Sequence, residues 1–570
     1  MKSIVFALLT LVSCAHEVRI AALPIGELRK DHEAVAPQVM VTSQGKATSA
    51  SALEILAREG NIIDAFVAAS FVVSVERPQS TGIGGGGFLV FYSKKENKAY
   101  AFDFREVAPI LAYKKMYLDK EGRPQTILSQ EGALSVAVPG LVAGLYEIHK
   151  KFGKLKWEDV MAPAIDLAEN GFPLYPHLKE AIHERSHLLR LDPELLKIFF
   201  TDKGEVPHLG QTIKQPQMAE TLKLIALKGR DGFYKGRVAN SITQTIRRHK
   251  GVMSLRDLRS YEMKERTPVK TMYKGNKIFT MPPPSSGGIH VLQILKILEP
   301  YKLSKYGPQS VEAIHKTALA MQRAFKDRAE YLGDPDFVSV PTAGLISPEY
   351  LKQMSEFINS DSAIPSQDVK KANLPYESSE TTHFTIADSE GNMVASTQTI
   401  NGWFGSGLSA KGTGIILNNE MDDFAQKEGT QNLFGALGGN KNLVEAKKRP
   451  LSSMTPTIVV APNGEAVMGL GSPSGTRIIN CVAQTLLNTY EYQMPLYEAV
   501  AATRIHHQFV PDEIRIESPY FPESVEKELK EKGHTIVHKE LGCSIQAIKK
   551  ENGQWVGVSD PRGAGLAEGF

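Results

Sequence analysis

Cysteine is nearly absent: 570 residues contain three, Cys14, Cys481 and Cys543. That excludes a disulfide-dense scaffold, and no pair has the short spacing that gathers thiolates on zinc. Cys481 and Cys543 read as buried free thiols, with pairing as the alternative if the chain is exported. Long apolar runs are also lacking. The N-terminal one, 4–12, is about half of the roughly 20 residues that span a bilayer. Charge of one sign is missing too: 66 basic residues face 63 acidic ones, for a net charge of +3. With no basic stripe or acidic tail, nothing predicts a nucleic-acid partner. There is no internal repeat and no low-complexity tract. What is present is ordinary for a soluble globular chain, 42% apolar and 23% charged. The length suits three or four domains of about 150 residues, or one large fold of sheets and helices.

The N-terminus carries an address. Lys2 precedes the apolar stretch 4–12, the length of a secretory signal's hydrophobic region. It ends Leu11-Val12-Ser13-Cys14, which resembles a bacterial lipoprotein box. In that reading residues 1–13 are removed and Cys14 is lipidated. The alternative is an ordinary signal cut nearer Ala21-Ala22. Either predicts export, to a bacterial periplasm, with a membrane met only through the lipid anchor. Residues 14–35 read as a linker.

Further on, apolar spacing predicts helices over 48–58 and 62–75, separated by Gly60-Asn61, a natural stop. The run Gly82-Ile83-Gly84-Gly85-Gly86-Gly87 opens a strand, 88–92, and lacks the lysine of a phosphate loop. Close backbone packing is the better account of its glycines. Helical patterns dominate from 139 to 358, among them 141–152, 158–170, 218–228, 288–298 and 311–332. Strand patterns return after Thr381, at 383–387, 393–399, 455–460 and 467–470, before helices at 476–490 and 496–504. Strands at both ends around a helical middle predict stacked sheets covered by helices.

The motif order is more telling than any single motif. Asp103-Phe104-Arg105-Glu106 comes first, then Glu380-Thr381-Thr382-His383-Phe384 and Thr399-Ile400-Asn401. Leu417-Asn418-Asn419-Glu420-Met421-Asp422-Asp423-Phe424, Lys448-Arg449-Pro450-Leu451-Ser452-Ser453-Met454, Gly471-Ser472-Pro473-Ser474-Gly475 and His506-His507-Gln508 follow. In this order they resemble the γ-glutamyltransferase family, over nearly everything after residue 36. The resemblance implies an α+β fold, the four-layer αββα sandwich of N-terminal-nucleophile hydrolases. It implies self-cleavage between Glu380 and Thr381, giving a large subunit, 36–380, and a small catalytic subunit, 381–570, that form one heterodimer and share that sandwich.

A threonine hydroxyl needs a base, and a freed α-amine with a pKa of about 7.7–8 can serve. Thr381 would then attack a γ-glutamyl amide such as glutathione, and water or an acceptor amino acid or peptide would resolve the ester. By the same resemblance Thr399 orients the nucleophile. Arg105, Ser452 and Ser453 hold the donor's α-carboxylate, and Asn401, Glu420 and Asp423 hold its ammonium. Ser474 and Gly475 supply the oxyanion hole, where family members carry two glycines. Phe434 stands where lidded members place a tyrosine, which predicts a lid that shields the site but opens more readily. No cofactor and no metal is expected: adjacent residues such as His506 and His507 point apart, and no acidic or thiol cluster completes a shell.

Other readings are weaker. Ser43-Gln44-Gly45-Lys46 fits the Ser-x-x-Lys pattern of penicillin-binding acyl enzymes, but the companion elements are missing. Gly471-Ser472-Pro473-Ser474-Gly475 has proline where a hydrolase elbow has its nucleophile. A β-lactam acylase, a poly-γ-glutamate-processing relative, or an exported lipoprotein that binds γ-glutamyl compounds without turnover are the alternatives.

Overall fold

The computed structural model describes residues 32–366 and 381–570. Two seven-stranded sheets form its centre. The first runs, in spatial order, Leu566–Gly569, Met40–Ser43, Thr382–Ala387, Met393–Thr399, Gly86–Ser93, Lys98–Asp103 and Lys264–Arg266. The second runs Glu33–Ala36, Gln554–Ser559, Gln546–Glu551, Ala466–Gly471, Thr457–Val460, Asn276–Thr280 and Val269–Tyr273. All these pairings are antiparallel.

Three apolar cores hold the layers. Met40, Val90, Met393, Ile458, Ile548 and Trp555 fill the space between the sheets. The helices Ile62–Glu76, Leu141–Phe152 and Trp157–Asn170 share one core with the first sheet. Gly287–Leu298, Val311–Tyr331 and Arg477–Tyr490 cover the second. This is the expected αββα arrangement. Ile62–Glu76 is buried along its whole length, so it starts where a cap starts it. Asn61 accepts from the amides of Ile63 and Asp64, and Asp64 returns a bond to the Asn61 amide, a reciprocal cap that satisfies donors otherwise orphaned in the core.

The glycine run packs as its composition predicts. A Cβ on Gly84 would lie 2.0 Å from the Ile416 carbonyl oxygen, and one on Gly85 2.0 Å from that of Thr399. Backbone therefore reaches the end of the Met393–Thr399 strand with nothing between.

Two expectations are corrected. The linker does not extend to residue 35, because Glu33–Ala36 is a strand paired with 555–558; only its partner across the sheet makes four residues a strand. Cys481 and Cys543 are bonded, with Cα atoms 6.6 Å apart, so the free-thiol reading gives way to its alternative. Cys14, Glu380 and the signal segment lie outside the described residues.

Candidate active site

Thr381 immediately precedes the Thr382–Ala387 strand, deep in the first sheet. It is 4% exposed, with φ at 129°, a conformation costly for a β-branched residue inside a chain. The antiparallel register sets Thr382 opposite Gln398. Thr399 is thereby brought beside Thr381, whose Oγ1 donates to the Thr399 Oγ1 at 3.4 Å. Thr399 Oγ1 also accepts the Asn401 amide at 2.8 Å. Thr382 is buried as well, its hydroxyl without a partner among the described residues, and only Thr381 of the two lines the cleft.

That cleft, of about 310 Å³, is lined by Arg105, Asn401, Glu420, Asp423, Ser452, Ser453, Phe434 and Gly475 besides the two threonines. Of the site residues named from sequence and described here, Ser474 alone does not face it; it sits behind Gly475. Ser474 is buried with φ at 103°. Its hydroxyl donates to the Leu541 carbonyl at 2.5 Å and accepts from Arg477 Nε at 2.9 Å. Those bonds offset the strain that glycine would not have. Among the described residues the amides of Ser474 and Gly475 have no backbone acceptor. They stand at the start of the helix Arg477–Tyr490, whose dipole favours negative charge there.

The charged end differs from expectation. Arg105 and the acids do not stand apart as carboxylate and ammonium clamps. Arg105 Nη1 is bonded to Glu420, Nη2 lies 2.5 Å from Asp423, and Nε donates to the Pro450 carbonyl. Buried charges without a ligand must pair with each other. Burial lowers the Arg105 pKa, but Glu420, Asp423 and Glu106 outweigh it and the net shift is upward. Burial, then the charge of Glu420, pushes Glu106 well above the carboxylate range. Glu420 is raised too, by burial against the pull of Arg105. Among the described residues neither Glu106 oxygen nor Oε2 of Glu420 has a hydrogen-bond partner. Burial and the neighbouring acids make it costly for both carboxyls to be ionised together.

The loop that carries Phe434 is tethered. Asn432 Nδ2 donates to Asp423 at 2.7 Å, the Leu433 amide to Asp422 at 2.7 Å, and Gln508 to the Gly435 carbonyl at 3.1 Å. Phe434, 5% exposed, packs on Gly475, where a Cβ would meet its ring at 2.3 Å. Ring packing and these neighbours hold the loop where a tyrosine hydroxyl is missing.

Sequence reasoning missed Arg328, Asn432, Met454, Thr476 and Ile478, which also line the cleft. Arg328 had a signal: it falls on the helix face of Met321, Ala324 and Phe325, all buried, where a lone cation is out of place. The histidines fit structural roles. His506 bonds Asn480 and Gln508, and His507 bonds Asp512. His383 sits between Thr397 and Thr385, and burial pushes it down to about 3, leaving it neutral.

Residues 48–570 match the family described as Gamma-glutamyltranspeptidase. The glutathione hydrolase proenzyme of Escherichia coli (strain K12) is 41% identical over 533 residues, covering 93% of this chain and 91% of that protein. That of Bacillus subtilis (strain 168) is 38% identical over 556 residues, covering 93% and 91%. Among solved structures, gamma-glutamyltranspeptidase from Helicobacter pylori superposes with a TM-score of 0.56 at 39% identity, over 57% of this chain and 93% of that one. Cephalosporin acylase from Bacillus halodurans superposes with a TM-score of 0.81 at 25% identity, over 94% and 97%. On the cleft and on these likenesses together, the chain belongs to the gamma-glutamyltranspeptidase family.

Proposed function

We propose that the protein is a glutathione hydrolase and γ-glutamyltransferase, made as a proenzyme that cuts itself between Glu380 and Thr381. The observation that carries this is the position of the Thr381 hydroxyl, bonded to Thr399 and facing the cleft. In the first reaction Thr381 Oγ attacks the Glu380 carbonyl carbon. The C–N bond breaks and frees the Thr381 amine as an ester forms, and water then hydrolyses that ester to the Glu380 carboxylate and the free Thr381 hydroxyl. In the second, that amine takes the hydroxyl proton while Oγ attacks the γ-carbonyl of the donor. The Ser474 and Gly475 amides stabilise the oxyanion, each worth roughly 3–4 kcal/mol in such a site. The amine returns its proton to the leaving nitrogen. Water or an acceptor amino acid or peptide then attacks the γ-glutamyl ester and frees Thr381.

The donor's α-carboxylate is held by Ser452, Ser453 and Arg105, and its ammonium by Asn401, Glu420 and Asp423. Asn401 Nδ2 donates to the Asn419 carbonyl, which leaves the amide oxygen as acceptor. Two chains, ending at residue 380 and starting at 381, remain together as a heterodimer. The leader directs export to a periplasm, and Cys481–Cys543 fits an oxidising compartment.

The test is purification followed by N-terminal sequencing of the smaller piece, with γ-glutamyl-p-nitroanilide as donor. Two chains, a sequence starting Thr-Thr-His-Phe, and dye release are expected. A Thr381→Ala protein that still splits and still releases dye would refute the proposal.

A further inference from the structure

We propose that Arg328 is a substrate-recognising residue, the uncommitted cation that reads the donor's α-carboxylate. This rests on the γ-glutamyl reading above and deepens it.

Arg105 is already committed to protein partners on every edge. Nε meets Pro450, Nη1 meets Glu420 and Nη2 meets Asp423. One guanidinium thus faces two carboxyl groups, so this cluster holds more acid than base. Such a centre attracts an ammonium and repels a carboxylate. The γ-glutamyl head group carries one of each, so a matching site needs one more positive charge.

Arg328 supplies it. It lies on the helix Val311–Tyr331, is 5% exposed and lines the cleft. Among the described residues it forms no ion pair. Its Nε donates to Ser286 Oγ at 3.1 Å and its Nη2 to Ser453 Oγ at 3.3 Å. Its Nη1 has no partner among the described residues. Both contacts are with neutral hydroxyls, so the charge stays available. Burial brings its pKa down to about 10, with Asp423 opposing and Arg105 adding to the fall, and it remains protonated at neutral pH. The bond to Ser453 has a second effect. A hydroxyl that accepts from a guanidinium keeps its own proton to give, so Arg328 turns Ser453 into a donor. Charge and hydroxyl would then converge on one carboxylate.

A brace between Ser286 and Ser453 would need the same two bonds, so the test must separate recognition from bracing. Arg328→Met and Arg328→Lys are measured for KM and kcat with γ-glutamyl-p-nitroanilide. Competitive inhibition is measured with L-glutamine, with glutaric acid monoamide, which lacks the amine, and with 4-aminobutyramide, which lacks the carboxylate. For Arg328→Met the donor KM is expected to rise about 100-fold, or about 2.8 kcal/mol at 1.4 kcal/mol per tenfold, with kcat changed less than about threefold. Both carboxylate-bearing inhibitors weaken in parallel and 4-aminobutyramide does not. Arg328→Lys keeps the charge without the fork and should lose about tenfold, again only for ligands with the carboxylate.

Equal weakening of all three inhibitors, in either variant, would mean a brace and overturn the proposal. So would no change in any. Self-cleavage into two chains reports that each variant folds, and if only the lysine protein matures, its inhibitor pattern decides alone. A parent protein that never hydrolyses γ-glutamyl-p-nitroanilide would instead sink the functional reading.

Discussion

Ser474 offers a test in which the order of two variants matters more than either size. It holds a left-handed backbone that glycine adopts freely and other residues at a cost of about 1–2 kcal/mol. Its hydroxyl makes two buried bonds, to the Leu541 carbonyl and from Arg477 Nε. A neutral bond is worth about 1 kcal/mol and a charge-assisted one about 1.5–3, though Arg477 Nε keeps a second contact with the Ser474 carbonyl. Ser474→Ala loses both bonds and keeps the strain, so it should cost about 2–4 kcal/mol. Ser474→Gly loses the same bonds and relieves the strain, but its freer unfolded chain returns about 0.5–1 kcal/mol. The glycine variant should therefore be the more stable of the two by roughly 1 kcal/mol, and both less stable than the parent. Urea unfolding of the matured protein followed by fluorescence gives the order. Turnover should follow it, because a mispositioned Gly475 amide weakens oxyanion binding. An alanine variant as stable as the parent, or more stable than the glycine one, would refute the account.

Other outcomes follow from the same geometry. Asn432→Ala frees one Asp423 oxygen and one lid tether, and should raise donor KM about tenfold with a smaller loss in kcat. An unchanged KM would show that the lid is held elsewhere. The Glu106–Glu420 pair gives a pH effect whose sign is fixed. Both carboxyls are raised, so on acidification Glu420 loses its charge early and ammonium binding weakens as pH falls through the raised value. Glu106→Gln removes the neighbouring acid and leaves an N–H donor, so the rise in donor KM should move to lower pH. A pH–KM profile that stays in place would show that Glu106 does not set the titration of Glu420. Breaking Cys481–Cys543, which closes a loop with a sequence separation of 62, should cost about 4 kcal/mol on the chain-entropy argument. Cys543→Ser or added reductant should lower the unfolding midpoint, and a midpoint insensitive to both would count against the bond.

Much of the fold was legible because local signals agreed with burial. The helix Leu141–Phe152 and the strand Met393–Thr399 have the bounds their periodicity predicts, and the Gly60-Asn61 stop falls just before Ile62–Glu76. The strand Glu33–Ala36 and the pair Gln546–Glu551 and Gln554–Ser559 were not legible, since a partner in the sheet defines them. The motif order placed ten site residues around one cleft. It could not give their pairing: Arg105 answers to Glu420 and Asp423 because burial demands it, a requirement invisible in one dimension. Arg328 sits far from every motif in sequence and joins the site through the helix that carries it. The cysteines lacked any spacing cue, and only the approach of the 541–545 segment to the helix Arg477–Tyr490 brings them together.

The interleaving of the first sheet has a bearing on what self-cleavage leaves behind. Thr382–Ala387 is hydrogen-bonded on one side to Met40–Ser43 and on the other to Met393–Thr399, which in turn borders Gly86–Ser93. Strands from before residue 381 thus flank the 382–387 and 393–399 pair on both sides, and 40–43 is itself bordered by 566–569. A nick there frees one new terminus at the mouth of the cleft but opens no seam along which the halves could part. Dissociation would require peeling whole strands out of the sheet, so the mature protein should survive as one body that happens to have two chains.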